Sequence, residues 1–172
     1  MVDAHHPAAL GPLGPLGPLG PLRPQGPGPL GPLGPVRPLG ILAVGDVLPP
    51  LPTPPVSRLT LALYCGASGD HNPMHVDTDY ARAGGAPDVF AHGMLSMALL
   101  GRLLTDWVPQ RQVRDFAVRF VAITQVGDQV FCTGSVTELF EIDGEPRARL
   151  SLQAANQHGQ VKLTGDAVVA LR

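Results

Sequence analysis

Between Gly93 and Leu171 the spacing of apolar residues changes once, and that change limits the folds open to the chain. The first part is Met94-Leu-Ser-Met-Ala-Leu-Leu-Gly-Arg-Leu-Leu-Thr-Asp-Trp107, bounded by Gly93 and Pro109, with polar residues only at Ser96, Arg102, Thr105 and Asp106. Apolar residues at nearly every helical position predict a helix covered by surrounding structure. Beyond Pro109 the period becomes two. Ala148, Leu150, Leu152 and Ala154 alternate with polar residues, and Val161, Leu163, Ala167, Val169 and Leu171 repeat the pattern around Gly165. Val113 to Thr124 and Gln129 to Phe140, rich in Val, Phe and Thr, read as two further strands. Turn signals stand at Gly127-Asp128, Asp143-Gly144 and His158-Gly159. One buried helix followed by a four-strand antiparallel meander is an α+β plan in which the sheet wraps the helix.

The amino-terminal part obeys neither period. Leu10 to Gly40 consists almost entirely of Pro, Gly and Leu. A collagen register fails because Arg23 and Arg37 occupy positions where a triple helix requires Gly. Such a stretch cannot bury a periodic apolar face, so residues 1–39 are expected to be a disordered, polyproline-like extension and residues 40–172 a single domain. The second proline cluster, Leu48-Pro-Pro-Leu-Pro-Thr-Pro-Pro55, is expected to run over that domain as an extended lead-in.

The formal net charge is −2, with no basic stripe, which excludes a nucleic-acid footprint. Cys65 and Cys132 lie far apart in apolar runs and read as reduced, buried thiols. No apolar run reaches 18 residues, and no basic segment precedes an apolar one at the amino terminus. The expectation is a soluble, cytoplasmic protein with no membrane contact.

The chemistry concentrates between the two helical regions. Ser57 is a good N-cap for Arg58 to Cys65, and Gly66 and Gly69 supply a stop, so Asp70 emerges just past a helix end. Pro73 forbids a regular helix from Asp70 to Asp79, which leaves a shaped loop, with one helical turn possible at Tyr80 to Ala83. The loop carries a carboxylate, Asp70, and an imidazole, His75, five positions apart around Asn72-Pro73. Either residue alone would read as an ordinary turn aspartate or loop histidine. Together, ahead of an Ala91-His-Gly-Met94 helix start, they are an acid/base pair and a helix N-terminus, the parts needed to make and hold an enolate. A metal reading is weak: His71 and His75 have i, i+4 spacing, but Pro73 interrupts it and no Glu follows His71.

Ser68-Gly-Asp-His-Asn-Pro-Met-His75, Ala91-His-Gly-Met94, and Val118-Arg-Phe120 followed by Val126-Gly-Asp128 resemble the MaoC-like family of (R)-specific enoyl-thioester hydratases and 3-hydroxyacyl-thioester dehydratases. The similarity spans Ile41 to Arg172. It departs in one place, where the family usually has Pro-Val and this chain reads Ala122-Ile-Thr-Gln125. The resemblance implies the hot-dog fold, an antiparallel sheet wrapped around one long helix. It also implies that Asp70 and His75 hold one water between them, that Asn72 orients their loop, and that the backbone at Gly93 receives the enolate oxygen. His92 is expected to hydrogen-bond at the helix start. Met94, Met97, Ala98 and Gly101 would line the acyl chain.

On that resemblance the expected activity interconverts trans-2-enoyl and (3R)-3-hydroxyacyl thioesters. No cofactor or metal is implied, since coenzyme A or the pantetheine of an acyl carrier protein serves as substrate carrier. Family members pair two hot-dog units, so a homodimer is expected. Two alternatives stand beside this reading: a hot-dog acyl-thioesterase, and a non-catalytic acyl-binding subunit of a heterodimeric dehydratase.

Overall fold

The computed structural model describes residues 42–172, and within them the change of period marks the boundary between a helical half and a sheet. The expectation for residues 1–39, and the domain boundary placed beside it, lie outside the described residues. Helix α1 (Arg58–Ser68) begins at Ser57, whose side chain accepts from the Thr60 amide, and ends at Gly69 with a φ of 74°. That left-handed position is open to Gly at little cost. Gly66 lies inside the helix and does not end it. A 3₁₀ turn (Pro73–His75) and a short helix α2 (Thr78–Ala83) follow, the latter capped by the Asp77 carboxylate.

Helix α3 (Gly93–Trp107) buries Ser96, Leu100, Leu103 and Leu104, positions three and four apart that form one stripe. The stripe packs on Val130, Cys132, Val136, Leu150, Leu152 and Leu163 of the sheet. Each of the three buried leucines contributes roughly 1.5–3 kcal/mol. The helix is not covered all round, as its composition suggested. Met94, Ala98, Arg102 and Thr105 are exposed, because a single sheet covers only one side of it.

The sheet is antiparallel with strand order β1-β3-β4-β5-β2, where β1 is Leu51–Pro52, β2 Val113–Phe120, β3 Val130–Ile142, β4 Glu145–Asn156 and β5 Val161–Ala170. β3 and β4 form a hairpin through Asp143 and Gly144, both at positive φ, the backbone that suits a two-residue turn. Registers such as Leu150↔Ala167 and Ala154↔Leu163 bring the alternating apolar residues of β4 and β5 together on the core face.

The meander expected from the strand pattern is not what forms. β2 pairs with β5 at the far edge, with Phe116 opposite Ala167 and Phe120 opposite Leu163. Its neighbour position on β3 goes instead to the proline-rich lead-in, Leu51 opposite Cys132 and Pro52 opposite Phe131. Pro is tolerated there because β1 is an edge strand. Gly165 permits the close fit of β2: a Cβ at that position would stand 2.6 Å from the Ala117 carbonyl oxygen.

Cys132 is buried and its burial pushes the thiol up to about 12, whereas Cys65 is only half-buried. Among the described residues no helix is long and apolar enough to cross a membrane.

Candidate active site

Asp70 leaves α1 through Gly69 and is held by its neighbours. Its amide donates to Ser68 Oγ at 3.2 Å, and Asp70 Oδ1 accepts from the Asn72 amide at 3.3 Å. Asn72 Oδ1 in turn accepts from the Met74 amide at 3.1 Å, so the Asn72 side chain caps the 3₁₀ turn that follows. That turn carries His75 inward, where it is 8% exposed. His75 Nδ1 lies 2.8 Å from the carbonyl oxygen of Phe90. A carbonyl can only accept, so Nδ1 donates in this bond and Nε2 is the ring nitrogen left for other partners.

His92 sits behind this pair, 1% exposed. Its Nε2–H donates to the backbone oxygen of Asp70 at 3.2 Å, which leaves Nδ1 buried without a partner in the chain. The His92 ring stacks on that of His75 with centroids 3.9 Å apart, and Tyr64 meets it edge-on at 5.0 Å. Burial holds His92 below its ordinary value of 6.5. The neighbouring His75 adds to this, and the hydrogen bond to the Asp70 backbone and the Asp70 charge oppose it. His92 is the N-cap residue of α3 but makes no side-chain cap bond. The amides of Leu95 and Ser96 bond to the His92 carbonyl, which leaves those of Gly93 and Met94 at the helix start without an intrahelical acceptor.

One oxygen of Asp70 and one nitrogen each of His75 and His92 lie within 4.8 Å of one another. Two groups that share one bridging water at ordinary hydrogen-bond lengths stand roughly 4.5 Å apart, so the spacing of Asp70 and His75 suits a held water. The same three residues are the ones that would hold a metal ion. The two rings are stacked, and each commits one nitrogen to a backbone carbonyl. Asp77, near them in sequence, caps α2 instead, and His71 is exposed.

A cavity of about 350 Å³ opens beside His75. The first turn of α3 forms one wall with Gly93 and Ser96; Phe120 to Thr124 and Leu163 form the other. Residues 121–124 of this second wall are irregular chain beyond the end of β2. The wall is tied to the chain just before α3 by Ala91 N to Thr124 O at 2.9 Å and to α3 itself by Ser96 Oγ to Thr124 Oγ1 at 3.1 Å. From behind, Lys162 clamps it: Nζ donates to Ile123 O at 2.7 Å, to Gln160 Oε1 at 2.8 Å and to Asp128 Oδ2 at 2.8 Å. Burial alone would raise the Asp128 carboxyl. Hydrogen bonds from Lys162, the Gln125 amide and Asn156 outweigh it and hold the group below the usual carboxylate range.

The structure brings Asp70, His75, His92 and Gly93 to this one place. Asn72 acts on the loop backbone. Met94, Met97, Ala98 and Gly101 do not line the cavity beside His75. Met94 is exposed, Met97 packs on the main core, and Ala98 and Gly101 border a separate cavity of about 500 Å³ with Leu104, Val113 and Phe116. Residues 93, 94 and 97 to 101 point around different sides of one helix, which a helical run alone does not resolve. The Phe90 carbonyl, Thr124 and Lys162 carried no sequence signal of their own. Ser96 did, as a polar residue in the apolar run.

A family model described as MaoC like domain matches residues 43–156. An (R)-specific enoyl-CoA hydratase of Aeromonas caviae is 32% identical over 113 residues, covering 64% of this chain and 83% of that protein. The 3-hydroxyacyl-thioester dehydratase Z of Mycobacterium tuberculosis is 33% identical over 103 residues, 56% of this chain and 68% of that one. Among solved structures, the (R)-hydratase from A. caviae involved in PHA biosynthesis superposes with a TM-score of 0.67 at 29% identity, covering 77% of this chain and 98% of that chain.

Proposed function

The chain belongs to the MaoC-like domain family of hot-dog hydratases and dehydratases, and from that premise we propose that it interconverts trans-2-enoyl and (3R)-3-hydroxyacyl thioesters. It is a hydro-lyase. The observation that carries the reading is the meeting of the Asp70 carboxylate, the His75 ring and the N-terminus of α3 at the mouth of one cavity. In the hydration direction a water bridges Asp70 and His75. Its oxygen bonds to the β-carbon while one proton passes to the dyad, and the dyad returns a proton to the α-carbon. Charge that gathers on the thioester oxygen meets the backbone N–H at Gly93 and the positive end of α3. Dehydration runs the same steps in reverse.

Coenzyme A or an acyl-carrier pantetheine carries the acyl group, and no cofactor or metal takes part. A second copy of the chain is the partner. Phe120, Val121 and Ile123, each more than half exposed, form an apolar rim around the cavity that pairing would cover.

The test is incubation of the purified protein with crotonyl-CoA while the conjugated enoyl absorbance and free thiol are followed together, with chiral analysis of the product. Loss of absorbance without thiol release, giving the (3R) alcohol, is expected. Thiol release would indicate a thioesterase, and no change in either signal would indicate an acyl-binding subunit.

A further inference from the structure

Lys162 belongs to β5, but it grips the segment beyond β2 residue by residue. Its carbonyl oxygen accepts from the amides of Val121 at 2.8 Å and Ala122 at 3.2 Å, and its Nζ donates to the Ile123 carbonyl at 2.7 Å. Asp128, which pairs with Nζ at 2.8 Å, also accepts from the Gln125 amide at 2.9 Å and from Asn156 Nδ2 at 2.8 Å. The segment in turn holds the chain that enters α3. Gln125 forms an isolated antiparallel bridge with Phe90, and the Ala91 amide donates to the Thr124 carbonyl at 2.9 Å. The Phe90 carbonyl is the acceptor for His75 Nδ1 at 2.8 Å. The route from the Lys162 ammonium to the His75 ring therefore runs through hydrogen bonds and a few residues of backbone.

Stability alone does not account for this ion pair. Lys162 is 1% exposed, and a buried pair is costly to desolvate, so that apolar residues of similar volume often serve a core as well or better. What an apolar side chain cannot supply is direction. The ammonium has three protons, and Ile123, Gln160 and Asp128 take all three, which fixes where the segment lies. We propose that Lys162 and Asp128 are positioning residues for the dyad: by fixing residues 121–125 they set the place of the Phe90 carbonyl, and through it the direction in which His75 presents Nε2. Neither side chain lines the cavity beside His75, so both act through the backbone of the segment. Small displacements suffice, since a misplacement of about 1 Å at reacting groups can cost about 10²-fold in rate.

The inference rests on the hydratase reading, and the experiment separates the two. The full chain, labelled with ¹⁵N, is compared with Lys162→Met/Asp128→Asn, which removes both charges together and leaves neither uncompensated. Without substrate, the wild type is expected to show a slowly exchanging His75 Nδ1–H signal, assigned by its absence from His75→Gln, and the double variant to lose or shift it. With crotonyl-CoA, kcat should fall roughly tenfold or more in the folded double variant while KM changes far less. No such signal in the wild type, a folded variant with wild-type kcat, or a lowered kcat with the His75 signal in place would each overturn the inference. If the double variant does not fold, Asp128→Asn alone is read by the same outcomes. A wild type that leaves crotonyl-CoA unchanged would overturn the hydratase reading, and the His75 signal would still decide the positioning.

Discussion

The imidazole of His75 lies on that of His92 with 3.9 Å between ring centroids and 30° between ring planes. Burial first, and the charge of the neighbouring ring in addition, hold His92 below its ordinary value of 6.5. A neutral His92 keeps its Nε2–H on the Asp70 backbone and places no positive charge against the ring that exchanges protons.

This relationship has a pH signature. The unfolded chain protonates His92 below 6.5, whereas the folded chain resists until lower pH, so folding stability falls as pH drops from 6.5 towards the folded value. We expect an NMR titration to show the His92 ring neutral below pH 6.5. The loss of denaturation midpoint between pH 7 and pH 5 should be smaller in His92→Asn than in the wild type. An equal loss in both would remove His92 from the effect.

Asp70→Asn and His75→Gln should each lower kcat by about 10²- to 10⁴-fold, the usual worth of general acid–base catalysis. Gln at 75 still offers a donor to the Phe90 carbonyl, so the melting temperature should change little. Because the two groups share one water, the double variant should be no slower than the worse single one. Near wild-type turnover in either would exclude the dyad.

At Gly93 a Cβ would stand 3.1 Å from Phe120 Cε1, inside the cavity. Gly93→Val adds two methyl groups there, and kcat/KM for crotonyl-CoA should collapse while circular dichroism stays wild-type. Gly93→Ala should fall between, its cost set by how far the exposed Phe120 ring can move. Full activity in folded Gly93→Val would take Gly93 out of the oxyanion site.

Lys162 is 1% exposed and Asp128 is its buried counter-ion. Lys162→Met would leave that carboxylate uncompensated, and urea denaturation should show a loss of about 3–5 kcal/mol. Adding Asp128→Asn should recover part of it. The depressed Asp128 carboxyl contributes stability that is present above the unfolded carboxylate range and lost as pH falls through the folded value. The wild-type denaturation midpoint should therefore drop below pH 4, and the double variant's should drop less.

How much of this was legible in the chain depends on the range of the forces involved. The cap at Ser57, the stop at Gly69, the start of α3 at Gly93, the turn at Asp143-Gly144 and the alternation in β4 are all decided within a few residues, and the sequence alone determined them. The same holds for the short loop that makes Asp70, Asn72 and His75 candidates. Alternation states which face of a strand is buried but not which strand lies beside it. The move of β2 to the far edge, and the lead-in's place on β3, were therefore settled only by tertiary packing. Lys162 shows the limit most sharply. Its position in β5 reads as a solvent-facing residue, yet the crossing segment 121–129 covers it, and its ammonium is tolerated there only because Asp128, Gln160 and the Ile123 carbonyl, distant in the chain, converge on it. The Phe90 carbonyl under His75 and the Ser96–Thr124 pair are of the same kind, contacts between segments 15 and 28 residues apart that the fold creates and no local pattern records.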